Sequence, residues 1–182
     1  EDRWKIRMYA LSNPSEDPTQ GLWTEEGQIV SNVDKFSLDA TSFEHKGQRY
    51  MIWTDRASNT VVNTGLFIAK MTSPTTLDSK QVVISQPEYD WEIKGHRVNE
   101  GPSVLIRNGK VFVSFSASAT DANYCIGLLW ADENADLLDP ASWKKSETIP
   151  ILVQSDYPIL WHNRLSNKLE SCLFRKADET RF

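Results

Sequence analysis

Ser37-Leu38-Asp39-Ala40 leads into the hydrophobic run Tyr50-Met51-Ile52-Trp53, and the same order of motifs returns further along the chain. There, Val98-Asn99-Glu100-Gly101-Pro102 leads into Val111-Phe112-Val113-Ser114-Phe115. The acids Asp39 and Glu100 are 61 residues apart, at matching places in the two copies. A period of this size, built from short strands, is typical of a propeller blade or a similar β-repeat. The sequence therefore predicts an all-β fold in which successive repeats supply two carboxylates.

The turns of the two copies correspond as well. Gly47 and Gly109 each lie in a polar turn of the kind that joins adjacent antiparallel strands. A second hydrophobic strand follows each turn, and a third comes after it. We predict two four-stranded blades, over residues 38–84 and 99–145. The alternation of apolar residues predicts a core that includes Tyr50, Ile52, Phe67, Ile68, Val104, Phe112 and Ile126.

The two ends of the chain depart from this repeat. Residues 6–11 parallel residues 67–71 and are interpreted as the end of an earlier blade. In residues 154–182, Leu and Phe side chains recur at helix-like spacing. A short amphipathic helix and a disordered ending both stay open there. We therefore divide the chain into a partial propeller domain, 1–153, and an atypical tail, 154–182.

Composition excludes several classes of partner. The chain has 182 residues, a net charge of −5 and interspersed acids and bases, so it offers no basic surface for nucleic acid or membranes. No apolar run approaches the roughly 20 residues that span a bilayer. No Cys/His cluster has zinc spacing and no glycine-rich phosphate loop occurs, so we predict no metal and no cofactor. Cys125 is predicted to be a small core residue.

Five motifs in a fixed order resemble glycoside hydrolase family 43, most of all its arabinofuranosidase branch. The resemblance extends over about residues 4–153. The motifs are Ser-Leu-Asp-Ala (37–40), Pro-Glu-Tyr-Asp-Trp-Glu (87–92), Val-Asn-Glu-Gly-Pro (98–102), Ser-Ala-Ser (116–118) and Asn-Tyr-Cys-Ile-Gly-Leu-Leu (123–129).

This resemblance implies a five-bladed β-propeller with a sugar pocket at its axis. Here we expect an incomplete propeller, with the end of one blade, two full blades and the atypical tail. Members of the family are inverting enzymes with three acidic residues. Glu100 matches the general acid, and Asp39 matches the aspartate that orients the acid and raises its pKa. The family's general base lies upstream of the segment matching Trp4, so we expect no counterpart in this chain.

The chemistry of inversion agrees with these assignments. A protonated acid must face the leaving oxygen while a base holds water on the opposite side, with the two carboxyls about 6.5–9.5 Å apart. A glutamate stays protonated near neutral pH when burial or a neighbouring carboxylate raises its pKa. Asp39, one repeat away from Glu100, is a candidate for that neighbour.

Simpler interpretations of the same residues stay open. Asp39 is also typical of a turn before a strand, and Glu100 of an exposed loop. Trp91 is a candidate for stacking on a sugar at the pocket mouth, or for plain packing. Ser116 is a candidate for binding a sugar hydroxyl, or an ordinary strand serine.

Two function classes follow from these readings. The first is a glycoside hydrolase that releases α-L-arabinofuranosyl or xylosyl units from arabinose- or xylose-containing plant polysaccharides. The alternative is a catalytically inactive sugar-binding or structural propeller fragment. With no base in the chain, we expect the 182 residues alone to be a poor catalyst, and open blade edges to favour self-association. No signal peptide is found, so extracellular and cytoplasmic locations both stay open.

Overall fold

The computed structural model describes residues 6–33, 36–56, 63–147 and 152–153. Within those ranges the chain forms strands and two short 3₁₀ helices, at Asp90–Glu92 and Pro140–Ser142, and no α-helix. The predicted all-β fold is confirmed. The strands are β1 (Met8–Ser12), β2 (Thr24–Ile29), β3 (Leu38–His45), β4 (Gln48–Arg56), β5 (Asn63–Ser73), β6 (Thr76–Ser85), β7 (Arg97–Arg107), β8 (Lys110–Ala117), β9 (Cys125–Asp132), β10 (Lys144–Lys145) and β11 (Leu152–Val153).

The strands form two antiparallel units that follow the predicted repeat. Sheet 1 comprises β3–β6, each strand paired with the next. Sheet 2 comprises β7–β9 in the same order, with β10 and β11 both paired to β9. A short parallel contact between the first residues of β5 and β7 joins the two sheets. The boundaries predicted for the two blades agree with β3–β6 and with β7–β10 to within two residues, whereas β11 of sheet 2 lies beyond the predicted end of the second blade.

A hairpin of β1 and β2 packs on the outer face of sheet 1. Because successive residues of a strand point to opposite faces, Met51 and Trp53 of β4 face this hairpin and meet Met8 and Ile29. Of residues 6–11, interpreted from sequence as the end of an earlier blade, those from Met8 onward belong to this separate pair of strands, and Ile6 forms a bridge with Phe36.

The main core lies between the two sheets. Tyr50 and Ile52, on the other face of β4, pack with Val111, Val113 and Phe115 of β8. Phe115 of sheet 2 thus faces sheet 1, just as Trp53 of sheet 1 faces the hairpin of β1 and β2. Both are almost completely buried.

Five of the seven residues predicted to be buried are buried; the exceptions are Val104 and Phe112, which are half-buried. Phe112 differs because its neighbours Val111 and Val113 occupy the face of β8 that meets sheet 1. Strand alternation then directs Phe112 to the opposite face. Val104, also half-buried, packs against the core between the sheets.

Other predictions have mixed outcomes. Cys125 is buried in the core between the sheets, as predicted. The proposed tail, residues 154–182, lies outside the described residues. Across the ranges that the structure describes, no helix is long and apolar enough to cross a membrane.

Candidate active site

The first strand of sheet 1, β3, carries a bulge at the predicted acid. Leu38 of β3 pairs with Thr54, and the next pair is Thr41 with Ile52, so β3 holds one extra residue. At this point Asp39 has a φ of 52°, in the left-handed region that aspartate enters more readily than most residues. The bulge turns the Asp39 side chain out of the regular alternation of the strand.

Sheet 2 carries the same bulge at the start of β7. Glu100 pairs with Ser116, and the next pair is Ser103 with Ser114. Gly101 has a φ of 58°, matching that of Asp39 in β3. The first strands of the two sheets, β3 and β7, therefore share one local backbone geometry.

This geometry corrects the register of the repeat. Thr54 and Ser116 are equivalent partners, as are the turn residues Gly47 and Gly109, and each pair is 62 residues apart. With that spacing Asp39 is equivalent to Gly101 and not to Glu100. The prediction that the two acids occupy the same place in the repeat is wrong by one residue, because hydrogen-bonded pairing, and not residue type, sets the register.

The two bulges nevertheless meet. The backbone N–H of Gly101 donates to Oδ2 of Asp39, with a distance of 3.1 Å. A Cβ placed on Gly101 would lie 3.6 Å from Oγ of Ser116 and 4.0 Å from Oδ2 of Asp39. Asp39, Ser116 and the residue next to Glu100 therefore share one location, where β3 and β7 approach each other.

Tyr124 completes this cluster, and the sequence did not single it out. Its hydroxyl donates to Oε1 of Glu100 at 2.8 Å, and the side chain is 5% exposed. Burial above all, and then the charge of Glu100, raise the pKa of Tyr124 far above its ordinary value. A hydrogen bond with Ser116 lowers it by less, and the hydrogen bond with Glu100 and the charge of Asp39 add smaller increases. The phenol is therefore a neutral donor. Its position inside the quoted motif 123–129 was the available signal.

Trp91 lies in packing between the sheets. It is 8% exposed, stacks on Tyr89 and meets Phe115 at a tilt, and its indole N–H donates to the carbonyl of Glu147 at 3.1 Å. It also closes over Gly127, where an added Cβ would lie 2.6 Å from the indole ring. These contacts are those of a packing tryptophan, the alternative to stacking on a sugar.

A buried carboxylate stands behind each bulge, and neither was singled out in the sequence. Ser37 precedes the β3 bulge and its hydroxyl donates to Asp55 at 2.5 Å. Asn99 holds the equivalent position in β7, and its amide donates to Glu92 at 2.9 Å. Asp55 and Glu92 are both fully buried.

The two buried carboxylates have different partners. Asp55 is held by hydrogen bonds from the hydroxyls of Ser31 and Ser37 and from backbone N–H groups. Glu92 accepts from Asn99 and also forms an ion pair of 2.9 Å with Lys145, whose side chain is 9% exposed. A buried charge needs such partners, because removing it from water costs several kcal/mol.

A groove lined by other residues lies apart from this cluster. Its volume is about 890 Å³, and residues from β6, β9, β10 and the segment around Tyr89 line it. Asp39, Glu100 and Tyr124 are not among its described lining residues. We place the candidate active site at the two bulges, because there the backbone N–H next to Glu100 donates to the carboxylate of Asp39. In the described part of the chain, no group of three or more His, Cys, Asp or Glu residues could hold a metal ion.

Known proteins resemble this chain over most of its length. The model for "Glycosyl hydrolases family 43" matches residues 1–163. The chain is 47% identical over 156 residues to the "Extracellular exo-alpha-(1->5)-L-arabinofuranosidase" of Streptomyces chartreusis, covering 86% of this chain and 47% of that protein. It is 52% identical over 153 residues to "Alpha-L-arabinofuranosidase B" of Pyricularia oryzae, covering 82% of this chain and 31% of that protein.

A solved structure agrees with these sequence relatives. The crystal structure of alpha-L-arabinofuranosidase from Lactobacillus brevis superposes with a TM-score of 0.78 at 49% identity, over 84% of this chain and 47% of that one. The chain thus spans about half the length, or less, of the relatives that it matches. The extent of the family match and the identity to these relatives together show that this chain belongs to glycosyl hydrolase family 43.

Proposed function

We propose that this chain forms part of a glycosidase that releases α-L-arabinofuranosyl units from plant polysaccharides with inversion at the anomeric carbon. The observation that carries the proposal is the hydrogen bond from the Gly101 N–H to Asp39, which sets a second carboxylate beside the strand position of Glu100. The names of the relatives support arabinofuranosyl over xylosyl units. One of those names also describes an extracellular enzyme, and we propose that location.

Glu100 is the proposed general acid. It protonates the glycosidic oxygen as the bond to the anomeric carbon breaks, and water attacks from the opposite face. Asp39 is proposed to hold a negative charge nearby, which disfavours ionisation of Glu100 and so raises its pKa. We assign the general base to none of the described residues.

The proposed fold of the whole enzyme is a five-bladed β-propeller. Sheets 1 and 2 would form two of its blades, and the hairpin of β1 and β2 the end of a third. In such a propeller the first strand of each blade lines the axis, which would place both bulges at the sugar pocket. Trp91 has no sugar contact in this proposal, since its contacts lie in the core.

The test is a hydrolysis assay with an aryl α-L-arabinofuranoside and with arabino-oligosaccharides, on the 182-residue chain and on the protein as its gene encodes it. Proton NMR of the first product should show the β-anomer from an α-linked substrate. Release of the α-anomer would overturn the inverting mechanism. Binding of the oligosaccharide without hydrolysis by either protein would favour the alternative, an inactive sugar-binding propeller.

A further inference from the structure

Tyr124 is held rigidly against the candidate acid. It directly precedes β9, whose first residue, Cys125, pairs with Ala117 of β8. On its other side, a turn fixes the backbone: the N–H of Tyr124 donates to the carbonyl of Asp121, and the N–H of Asn123 to the Asp121 carboxylate. With both neighbours fixed and the side chain buried, the phenol has little freedom to leave Glu100.

The hydrogen bond distinguishes the two oxygens of Glu100. Tyr124 donates to Oε1, and this oxygen therefore acts as an acceptor. When Glu100 is protonated, its proton is then favoured on Oε2, the oxygen that does not accept from the phenol. A phenol that stays protonated can play this part at every pH at which a carboxyl group titrates.

We propose that Tyr124 is a positioning residue for the acid: it selects the oxygen of Glu100 that delivers the proton, and it stabilises the carboxylate that delivery leaves behind. This rests on the proposed function of Glu100. In the step itself, the proton passes from Oε2 to the glycosidic oxygen, which keeps the electron pair of the broken C–O bond. Water adds to the anomeric carbon and gives its proton to a carboxylate base.

The bond also sets a balance of charge at Glu100. A hydrogen bond to a carboxylate is stronger than one to a neutral acid, so Tyr124 favours ionised Glu100 while the charge of Asp39 opposes it. The Arg97 guanidinium, from the same strand as Glu100, donates to the Pro87 carbonyl. Asp39 from β3 and Tyr124 before β9 are the titratable groups that we place in this balance.

The experiment is an NMR titration of ¹³C-carboxyl-labelled glutamate in the 182-residue chain, with the Glu100 signal assigned by Glu100→Gln. Tyr124→Phe removes the donor and keeps the ring, and we expect the Glu100 midpoint to move to higher pH. Tyr50→Phe is the matched control, since Tyr50 is also buried in the core and its charged neighbour is Asp136. It should leave the Glu100 midpoint unchanged.

A second variant serves if Tyr124→Phe does not fold. Site-specific 3,5-difluorotyrosine at position 124 keeps the hydroxyl and makes it a stronger donor, so the Glu100 midpoint should move to lower pH. An unchanged midpoint in either variant that folds would overturn the inference.

Turnover provides a separate readout in the protein as its gene encodes it. There, Tyr124→Phe should lower kcat about tenfold, the loss of one hydrogen bond to a charged group, and move the high-pH limb of the rate profile to higher pH. The titration needs no turnover. Shifted midpoints without hydrolysis would therefore reject the proposed function and keep the contact, whereas hydrolysis with unmoved midpoints would reject the role of Tyr124.

Discussion

The bulge of β3 and the bulge of β7 share a backbone but carry their acids at different places. In β3 the acid is Asp39, at the left-handed position itself; in β7 that position is Gly101, and the acid is the preceding residue. Glycine adopts this positive φ without strain, and its N–H donates to Asp39. The difference teaches that a repeated backbone can supply two carboxylates with unequal surroundings, which two different roles require.

The contrast extends to the residues behind each bulge. Asp55 behind the β3 bulge is held by hydroxyls and backbone N–H groups, and among the described residues it forms no ion pair. Glu92 behind the β7 bulge is paired with Lys145. Strand β7, with the proposed acid, is thus linked through Glu92 to Lys145 of β10. Within the part of the chain that the structure describes, strand β3, with Asp39, is linked through Asp55 only to its own sheet and to the segment before it.

The largest expected effect separates the two acids by activity. In the protein as its gene encodes it, Glu100→Gln should lower turnover of substrates with poor leaving groups by about 10²–10⁴-fold, because it removes the proton and keeps the shape. Substrate binding should be largely retained. Glu44→Gln, at an exposed position of β3, is the control. Full activity of Glu100→Gln would remove Glu100 from the mechanism.

Asp39→Asn should have a smaller effect on turnover and a different signature. The amide oxygen can still accept from the Gly101 N–H, but the negative charge is lost, so ionisation of Glu100 becomes easier. Glu100 is then protonated over a narrower pH range, so the high-pH limb of the rate profile should move to lower pH. A profile with the wild-type limb would contradict the assigned role of Asp39.

The two buried carboxylates should differ in their effect on stability. Glu92→Gln leaves the buried Lys145 ammonium without its charged partner and should cost about 3–5 kcal/mol in denaturant unfolding. Asp55→Asn disturbs hydrogen bonds only and should cost about 1–3 kcal/mol. The double variant Glu92→Gln, Lys145→Met should recover part of the first loss. Equal costs for Glu92→Gln and Asp55→Asn would break the contrast between the two anchors.

Alanine at Gly101 tests the backbone of the β7 bulge. The added Cβ has room, so the cost should come from its φ of 58° alone, about 1–2 kcal/mol. Gly109→Ala places the same residue at a φ of 73° in a turn with nothing within 4 Å of the Cβ, and should lose a similar amount. Only Gly101→Ala should also lower hydrolysis, because a shift of its backbone away from this φ would disturb the hydrogen bond from its N–H to Asp39.

The smallest effect concerns Cys125, beside Tyr124. Burial, and then the charge of Glu92, raise the pKa of Cys125 to about 11. Since the folded state favours the neutral thiol, this contribution to stability is full below the ordinary pKa of 9.0 and is lost as pH rises towards 11. Unfolding curves at pH 8 and pH 10.5 should show a smaller loss for Cys125→Ser than for the wild-type chain. Equal losses would contradict the assigned burial.

Much of the site follows from the sequence, but its register does not. The motifs around Asp39 and Glu100 identified the first strand of each sheet, because apolar alternation and turn glycines are local signals. They matched the two acids to each other, whereas strand pairing matches Asp39 to Gly101. A bulge adds one residue without leaving a residue type that marks it, so sequence matching can slip by one position there.

The sequence by itself determined the repeated sheets, their boundaries and the two acids, since strand periodicity and turn chemistry act over a few residues. Tertiary structure alone decided which groups surround those acids: the phenol of Tyr124 on Glu100, the Gly101 N–H on Asp39, and the carboxylates of Asp55 and Glu92 behind the bulges. The partners in these contacts are as many as 62 positions apart in the chain. Such contacts form only when the sheets pack, because a buried polar group takes whichever partner the packing brings within hydrogen-bonding distance.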